Sequence, residues 1–292
     1  MSWRTVVITG SAKLDFKMDY LVVRKQEGTN RIHLSEIGLL MVESTAISLT
    51  TALLSELVKH KVKVVFCDEK HNPQSELLPY YGSHDTSVKV KRQTNWEEEI
   101  KKSVWTEIVT EKIRDQRHHL EERGNTVQAE MLAQYIRELK FGDETNREGH
   151  AAKVYFNSLF GMDFTRSEDN PINAALNYGY GLLLSYFNRE VVANGYITQL
   201  GLFHDNMFNQ FNLASDLMEP FRIIVDRKVI GMTNETFEHS EKLELIFMMN
   251  DEVQIDGKWN TISNAIKIYC RSIFDALNEN DISLIRFYKY EF

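Results

Sequence analysis

Cysteine is nearly missing from these 292 residues: Cys67 and Cys270 are the only two. Two thiols cannot build a disulfide framework or a cysteine-based zinc site, so a reducing cytoplasm is the expected compartment. Proline occurs 4 times and glycine 14 times, too rarely for a collagen-like, low-complexity or linker-dominated chain. No apolar run approaches the roughly eighteen residues that a membrane helix needs. Gly181 to Phe187 is among the longest. The opening MSWRTVVITG also lacks the charged-then-apolar layout of a signal peptide. A soluble chain with no membrane partner is expected. The common phosphate and metal signatures are missing as well: GxxxxGK[ST], GxGxxG after a strand, HExxH, CxxC and GxSxG. That sets aside P-loop ATPases, simple dinucleotide enzymes, zincins and nucleophile-elbow hydrolases.

Positive charge is also short. Lys and Arg number 34 against 42 Asp and Glu, for a net charge of −8, which at first sight argues against a nucleic-acid partner. The deficit is uneven, because residues 1–93 carry 13 basic against 10 acidic side chains and the remainder 21 against 32. Carboxylates that hold metal ions count as negative until the metal arrives, so net charge is a weak veto.

What is present divides into two parts. Leu14, Phe16, Met18 and Tyr20 alternate with Lys13, Asp15, Lys17 and Asp19, the period-two pattern of a half-buried strand. Gln26 to Asn30 form a turn-type cluster, and a second strand is expected near Arg31. Ser48 is read as the N-cap of a helix to about Lys59, and Val62 to Phe66 as a short β-branched strand. From Thr94 the period changes. Trp96, Ile100, Val104, Ile108 and Lys112-Ile113 fall at helical spacing, behind acids at Glu97 to Glu99 that suit a helix start. Further helices are expected over Val127–Lys140, Gly149–Phe160 and Asn173–Asn194. Ser83 to Arg92 has no strong pattern, and the domain boundary is placed there. The expected class is α+β: a small β-rich domain over 1–88, then a larger all-α catalytic domain over 89–292.

Chemistry must come from carboxylates and histidines in the second part. Asp216 and Glu219, three apart, would share a helix face and point away from Leu213, Leu217 and Met218. That arrangement equally describes a solvated acidic helix end. His204 follows two apolar residues and by itself reads as an ordinary partly buried histidine. His204-Asp205 also resembles the dyad of a metal phosphohydrolase, with His118, His119, His150 and Asp216 as further ligands, though no spacing requires it. His118 and His119 are read as a solvated helix face. Glu148 opens a helix, as carboxylates commonly do. Two or three carboxylates with one imidazole suit a hard divalent ion, Mg²⁺ or Mn²⁺.

The surrounding residues are more specific. Gly201-Leu-Phe-His204, Asn212-Leu-Ala-Ser-Asp216-Leu-Met-Glu219-Pro-Phe-Arg222 and Asp226 closely resemble the central motif of the CRISPR-associated integrase, the core spacer-acquisition nuclease of CRISPR adaptive immunity. Arg147-Glu148-Gly-His-Ala-Ala-Lys153-Val-Tyr155-Phe and Asn170-Pro-Ile-Asn173-Ala-Ala-Leu-Asn177-Tyr-Gly-Tyr180 agree with the same family in the same order. The opening Trp3-Arg-Thr-Val-Val-Ile-Thr and the Leu34-Ser-Glu-Ile block look most like its type II-A branch. Ile223 replaces a proline that many relatives carry, which alters backbone stiffness and touches no ligand.

The resemblance implies that Glu148, His204 and Glu219 bind the metal, with Asp216 nearby on the same catalytic site. It implies a homodimer, a small ferredoxin-like CRISPR-associated partner in a larger hetero-oligomer, a double-stranded prespacer and a leader–repeat DNA target. The expected reaction is attack of a prespacer 3′-hydroxyl on the leader–repeat phosphodiester. The competing reading is a non-catalytic DNA-binding scaffold of the adaptation complex. DNA contacts are expected from Lys89, Lys91 and Arg92, from Arg286 and Lys289, and from Arg222. The aromatics Phe287, Tyr288, Tyr290 and Phe292 make the C-terminal segment apolar enough to dock on this chain or on a partner.

Overall fold

The computed structural model describes residues 4–80, 83–232 and 236–289. Trp3 of the opening block, and Tyr290 and Phe292 of the aromatic segment, lie outside the described residues. Two compact units, Met1–Tyr81 and Gly82–Phe292, make up the chain.

The first unit holds strands β1 (Arg4–Ile8), β2 (Ala12–Lys17), β3 (Tyr20–Lys25), β4 (Gly28–His33), β5 (Ile37–Val42), β6 (Ile47–Leu49), β7 (Lys63–Cys67) and β8 (Pro73–Glu76), with helix α1 (Thr51–Lys59) before β7. They form two four-stranded sheets, ordered β1-β5-β7-β8 and β4-β3-β2-β6. Leu14, Leu21, Leu34, Ile37, Leu40 and Val64 fill one core with Leu53 and Leu57 of α1. The alternation from Lys13 to Tyr20 is two strands and not one. Met18 and Asp19 take φ of 49° and 63°, and Lys17 pairs with Tyr20 across the hairpin. A two-residue turn preserves the period-two count, so the pattern alone does not reveal it. Thr50, not Ser48, caps α1, accepting a hydrogen bond from Leu53 N at 3.3 Å.

The second unit is predominantly helical. It contains α2 (Thr86–Gln93), α3 (Glu98–Glu122), α4 (Thr126–Glu138), α5 (Arg147–Phe160), α6 (Pro171–Ala193), α7 (Asn212–Leu217), α8 (Arg222–Gly231), α9 (His239–Phe247) and α10 (Ile262–Glu279). A small antiparallel sheet accompanies them, with β9 (Glu252–Ile255) between β10 (Lys258–Thr261) and β11 (Tyr288–Lys289). The patternless Ser83–Arg92 stretch therefore contains a helix, whose one buried residue is polar Gln93. With no apolar stripe, its helical period was invisible.

The 25-residue α3 lies at the centre of this unit and packs against α4, α5, α8 and α10. Ile100, Val104, Ile108 and Lys112 recur every fourth residue along its buried face. At the start of α6, Asn170 accepts from Asn173 N at 2.8 Å and Pro171 takes the first turn, where a missing N–H costs nothing. The described part of the C-terminal segment docks on this chain: Tyr288 donates from its hydroxyl to Pro220 O at 3.0 Å, with its ring 4.5 Å from that of Phe221. No helix among the described residues is long and apolar enough to cross a membrane.

Helices α6 and α8 meet at Gly179, where a Cβ would stand 2.4 Å from Val225 Cγ1. Overpacking of this kind forces a backbone shift. Gly179→Ala should therefore destabilise the chain by roughly 1–3 kcal/mol in urea denaturation. Adding Val225→Ala should recover part of that loss, and strictly additive losses would show that the close approach is not the cause.

Candidate functional site

The site is assembled within the second unit from α3, α5, the loop before α7, and the turn between α7 and α8. Glu148 sits in the first turn of α5. That turn is held by the buried Asp143, whose two oxygens accept from Arg147 N at 2.7 Å and Glu148 N at 3.0 Å. Gly142, at φ 68°, donates its N–H to Thr106 Oγ1 on α3 at 2.8 Å. The carboxylate of Glu148 is thus positioned against α3 by backbone capping as well as by its own contacts.

His204 belongs to a loop built around Asp216, which is fully buried. Asp216 accepts from Leu202 N at 2.6 Å, Phe203 N at 3.0 Å and His204 N at 3.2 Å, and from the His204 ring at Nδ1. Tying Nδ1 to a carboxylate leaves Nε2 as the nitrogen for ligation. Gly201 is required here, since a Cβ would lie 2.3 Å from His204 O and 2.7 Å from Asp216 Oδ2. Gln93 of α2 pins the start of the loop, donating to Ile197 O at 2.9 Å and Leu200 O at 3.2 Å and accepting from Ile197 N at 2.9 Å. Trp105 of α3 stacks on Phe203 at 4.6 Å and meets the His204 ring edge-on at 5.8 Å.

Glu219 opens a 3-10 turn after α7 ends at Leu217. The expected shared, outward-facing pair is therefore corrected. Both acids are buried and aim at different partners, because the helix breaks between them and Pro220 supplies no N–H. Glu219 Oε1 accepts from Arg222 Nε at 2.9 Å, and its Oε2 accepts from Lys112 Nζ. The same Lys112 ammonium donates to Glu148 Oε1, so one cation bridges carboxylates from two separate elements.

Electrostatics follow from these contacts. Burial alone would raise the Glu219 carboxyl, yet Arg222 and Lys112 outweigh it and hold the group at about 2. Burial likewise opposes charge on Lys112, and the two glutamates overcome it to raise that ammonium above its ordinary value. The Asp216 hydrogen bond, stronger than the opposing burial, raises His204. Behind Glu219, the Arg222 guanidinium lies 4.6 Å over the Tyr180 ring, and Tyr180 donates to the buried Asp226. Burial pushes Asp226 up to about 6 despite that bond and the nearby Arg222.

The donor chemistry suits a hard divalent cation: two carboxylates, and an imidazole with Nε2 spare. Among the described residues, no three His, Cys, Asp or Glu are gathered closely enough to hold a metal ion. A positive charge nevertheless already stands between the two glutamates, in the form of Lys112. The site accepts a cation, and its resident one is an ammonium.

Other candidates lie elsewhere. His118 is exposed and pairs with Glu122 at 3.0 Å. His119 is not on a solvated face, as expected from its charged neighbours, but buried with Nδ1 2.7 Å from Tyr155 Oη. His150 lies beside Tyr135, ring centres 6.2 Å apart. Lys89, Lys91 and Arg92 are all on α2, with Lys89 Nζ 5.7 Å over the Tyr196 ring. Arg222 is committed to Glu219. Arg286 donates to Ser283 O at 2.8 Å and lies 3.6 Å from Asp256, while Lys289 is exposed on β11. Sequence reasoning missed Lys112 as a site residue, although a lysine on an otherwise apolar four-residue repeat was its signal.

The family model of CRISPR associated protein Cas1 matches residues 5–253. The chain belongs to the Cas1 family. It is similar to the CRISPR-associated endonuclease Cas1 of Neisseria meningitidis serogroup C (strain 8013), 37% identical over 232 residues that span 80% of this chain and 76% of that protein. Two solved structures share the fold at 18% identity. One is a casposase bound to integration product, with a TM-score of 0.76 over 97% of this chain and 92% of that one. The other is a Cas6-RT-Cas1–Cas2 complex, with a TM-score of 0.75 over 97% of this chain and 36% of that longer one.

Asp226 yields a pH test. Folding raises this acid from 3.8 to about 6, so the folded chain binds the proton more tightly than the unfolded chain. Its contribution to stability therefore falls as pH rises across that window, by roughly 1–3 kcal/mol. Asp226→Asn cannot titrate and should flatten the urea-denaturation stability profile between about pH 4 and 6. A slope as steep as the native one would place its origin in another group.

Proposed function

We propose that this chain is the metal-dependent integrase and endonuclease of CRISPR spacer acquisition, with Glu148, His204 and Glu219 as the metal-binding set. Family membership supports the activity. The observation that carries the site is the pair of glutamates, from two separate elements, drawn onto one positive charge in the unit that also holds the Asp216-anchored His204. A divalent ion bound there would supply Lewis acidity at a phosphodiester and stabilise the leaving oxygen.

The chain's own residues divide the remaining work. Asp216 is an orienting group, since its oxygens are engaged by three backbone N–H groups and the His204 ring. Arg222 fixes Glu219 and carries positive charge at the site's edge. In the proposed reaction, the prespacer 3′-oxygen forms a bond to the leader–repeat phosphorus as the P–O3′ bond of the target strand breaks. The attacking hydroxyl loses its proton and the departing 3′-oxygen gains one. Water in place of the 3′-hydroxyl gives strand cleavage by the same displacement.

The proposed assembly is a homodimer joined to a small ferredoxin-like partner, holding duplex prespacer and leader–repeat DNA in the cytoplasm. Lys89, Lys91 and Arg92, clustered on α2, are the proposed phosphate contacts, with Arg286 and Lys289 as a second patch. Binding through them would weaken with salt. The opening block from Trp3 and the Leu34-Ser-Glu-Ile block support placement in the type II-A branch.

Strand transfer of a short duplex with free 3′-hydroxyls into a supercoiled plasmid bearing a leader and repeat tests this reading. With the small partner and Mn²⁺ present, the native chain should give joined and relaxed products. Glu148→Ala should reduce them by roughly a hundredfold or more while retaining DNA binding. Undiminished products from Glu148→Ala would remove the site; none from an intact, DNA-bound native assembly would favour the scaffold.

A further inference from the structure

We propose that Lys112 is a resident counter-cation of the metal site, holding Glu148 and Glu219 together until a divalent ion displaces it. The inference rests on the metal-site reading above and concerns how that site is kept and loaded.

The geometry is specific to this lysine. Lys112 is buried on α3, in line with Ile108 and Trp105, which brings its ammonium to one place. There it donates to Glu148 of α5 and to Glu219 of the turn before α8. With Arg222 on the other oxygen of Glu219, two positive groups balance two negative ones, and the glutamate pair is neutralised without metal. A divalent ion entering an already neutral cluster meets like charge, and it needs the same carboxylate lone pairs that the ammonium occupies. Metal–oxygen bonds of about 2.1 Å leave no room for an ammonium on the same side of those oxygens. Occupancy by the ion and by Lys112 is therefore mutually exclusive, and the flexible four-carbon stem is the part able to withdraw. The arrangement has a structural use. Two carboxylates from different elements would repel each other in a buried site, and the lysine keeps them registered before the metal arrives.

Mn²⁺ titration of the metal-depleted full-length chain, followed by the electron paramagnetic resonance signal of free Mn²⁺, tests the displacement. Lys112→Met should bind Mn²⁺ roughly fivefold or more tightly than the native chain, because the competitor is gone. The same variant should melt at lower temperature in EDTA and gain more from Mn²⁺ than the native chain does. Lys112→Gln, which keeps hydrogen-bond donors for the carboxylates, should show the same direction and guards against a misfolded methionine variant. Arg114→Met removes a positive charge from the same helix that is paired with Glu111 and not with the site, and it should change affinity by less than about twofold. As an independent readout on the native chain, acetylation of Lys112 by acetic anhydride should accelerate several-fold when Mn²⁺ saturates the site.

Equal or weaker Mn²⁺ binding by both Lys112 variants would overturn the displacement, as would tightening of the same size by Arg114→Met. Unchanged acetylation of Lys112 on saturation would overturn it without recourse to any variant. A native chain that binds no Mn²⁺ would instead sink the metal site itself, a failure distinguishable from the first because it appears before any substitution is made.

Discussion

Two carboxylates cannot be kept side by side away from water unless something positive stands between them. Much of the helical unit serves that constraint. Helix α3 supplies the ammonium, α5 one carboxylate, and the turn into α8 the other. Each of these elements is then fixed by contacts outside the lysine–glutamate cluster. Asp143 caps α5, Thr106 of α3 holds the turn that precedes it, and Gly179 lets α6 come close to α8. Removing the cation would leave that scaffolding in place but give its two acids no reason to converge.

His204 is organised by a different means. Its position follows from a single buried carboxylate that gathers consecutive backbone N–H groups, a local arrangement of the kind that anions find in loops. Asp216 therefore does for the imidazole what Lys112 does for the glutamates: it replaces solvent with a fixed partner of opposite polarity. The difference lies in permanence. Asp216 is sealed at the base of its loop, whereas Glu148 is only half-buried and opens the cluster toward solvent. The overall charge of −8 is consequently a poor guide to the site, where charges are locally paired.

The two-part organisation and most of the long helices were legible in the sequence because each has a strong period. The expected ranges for α4, α5 and α6 lie within two residues of the observed ones. Helix α10 was not read although Ile262, Ile266, Tyr269, Ile273 and Leu277 recur at helical spacing on its buried face, whereas α2 and the β2–β3 hairpin offered no distinct period. Helix α2 buries only Gln93, whose amide serves the distant loop at Ile197 and Leu200. The β2–β3 hairpin kept the alternation of a single strand across its turn. Residue types at the candidate site were legible through the family motif, but their directions were not. Spacing on an ideal helix could not anticipate the break at Leu217 that sends Asp216 and Glu219 apart. Lys112 was visible as a charged residue on an apolar repeat, yet its meaning depends on Glu148 and Glu219, 36 and 107 residues away.

The contact between Tyr288 and Pro220 O joins residues 68 positions apart, and it bears on the order in which the chain is made. The turn carrying Glu219 leaves the ribosome long before the strand that covers it. Until Tyr288 emerges, the Pro220 carbonyl lacks its hydroxyl partner and the Phe221 ring has only Phe187 and Tyr269 beside it, so the last carboxylate of the site rests on an unfinished support. A chain stalled or cut between these two points would carry every acid and imidazole of the candidate centre without the strand that consolidates them. The support beneath Glu219 is thus completed only once β11 has been made.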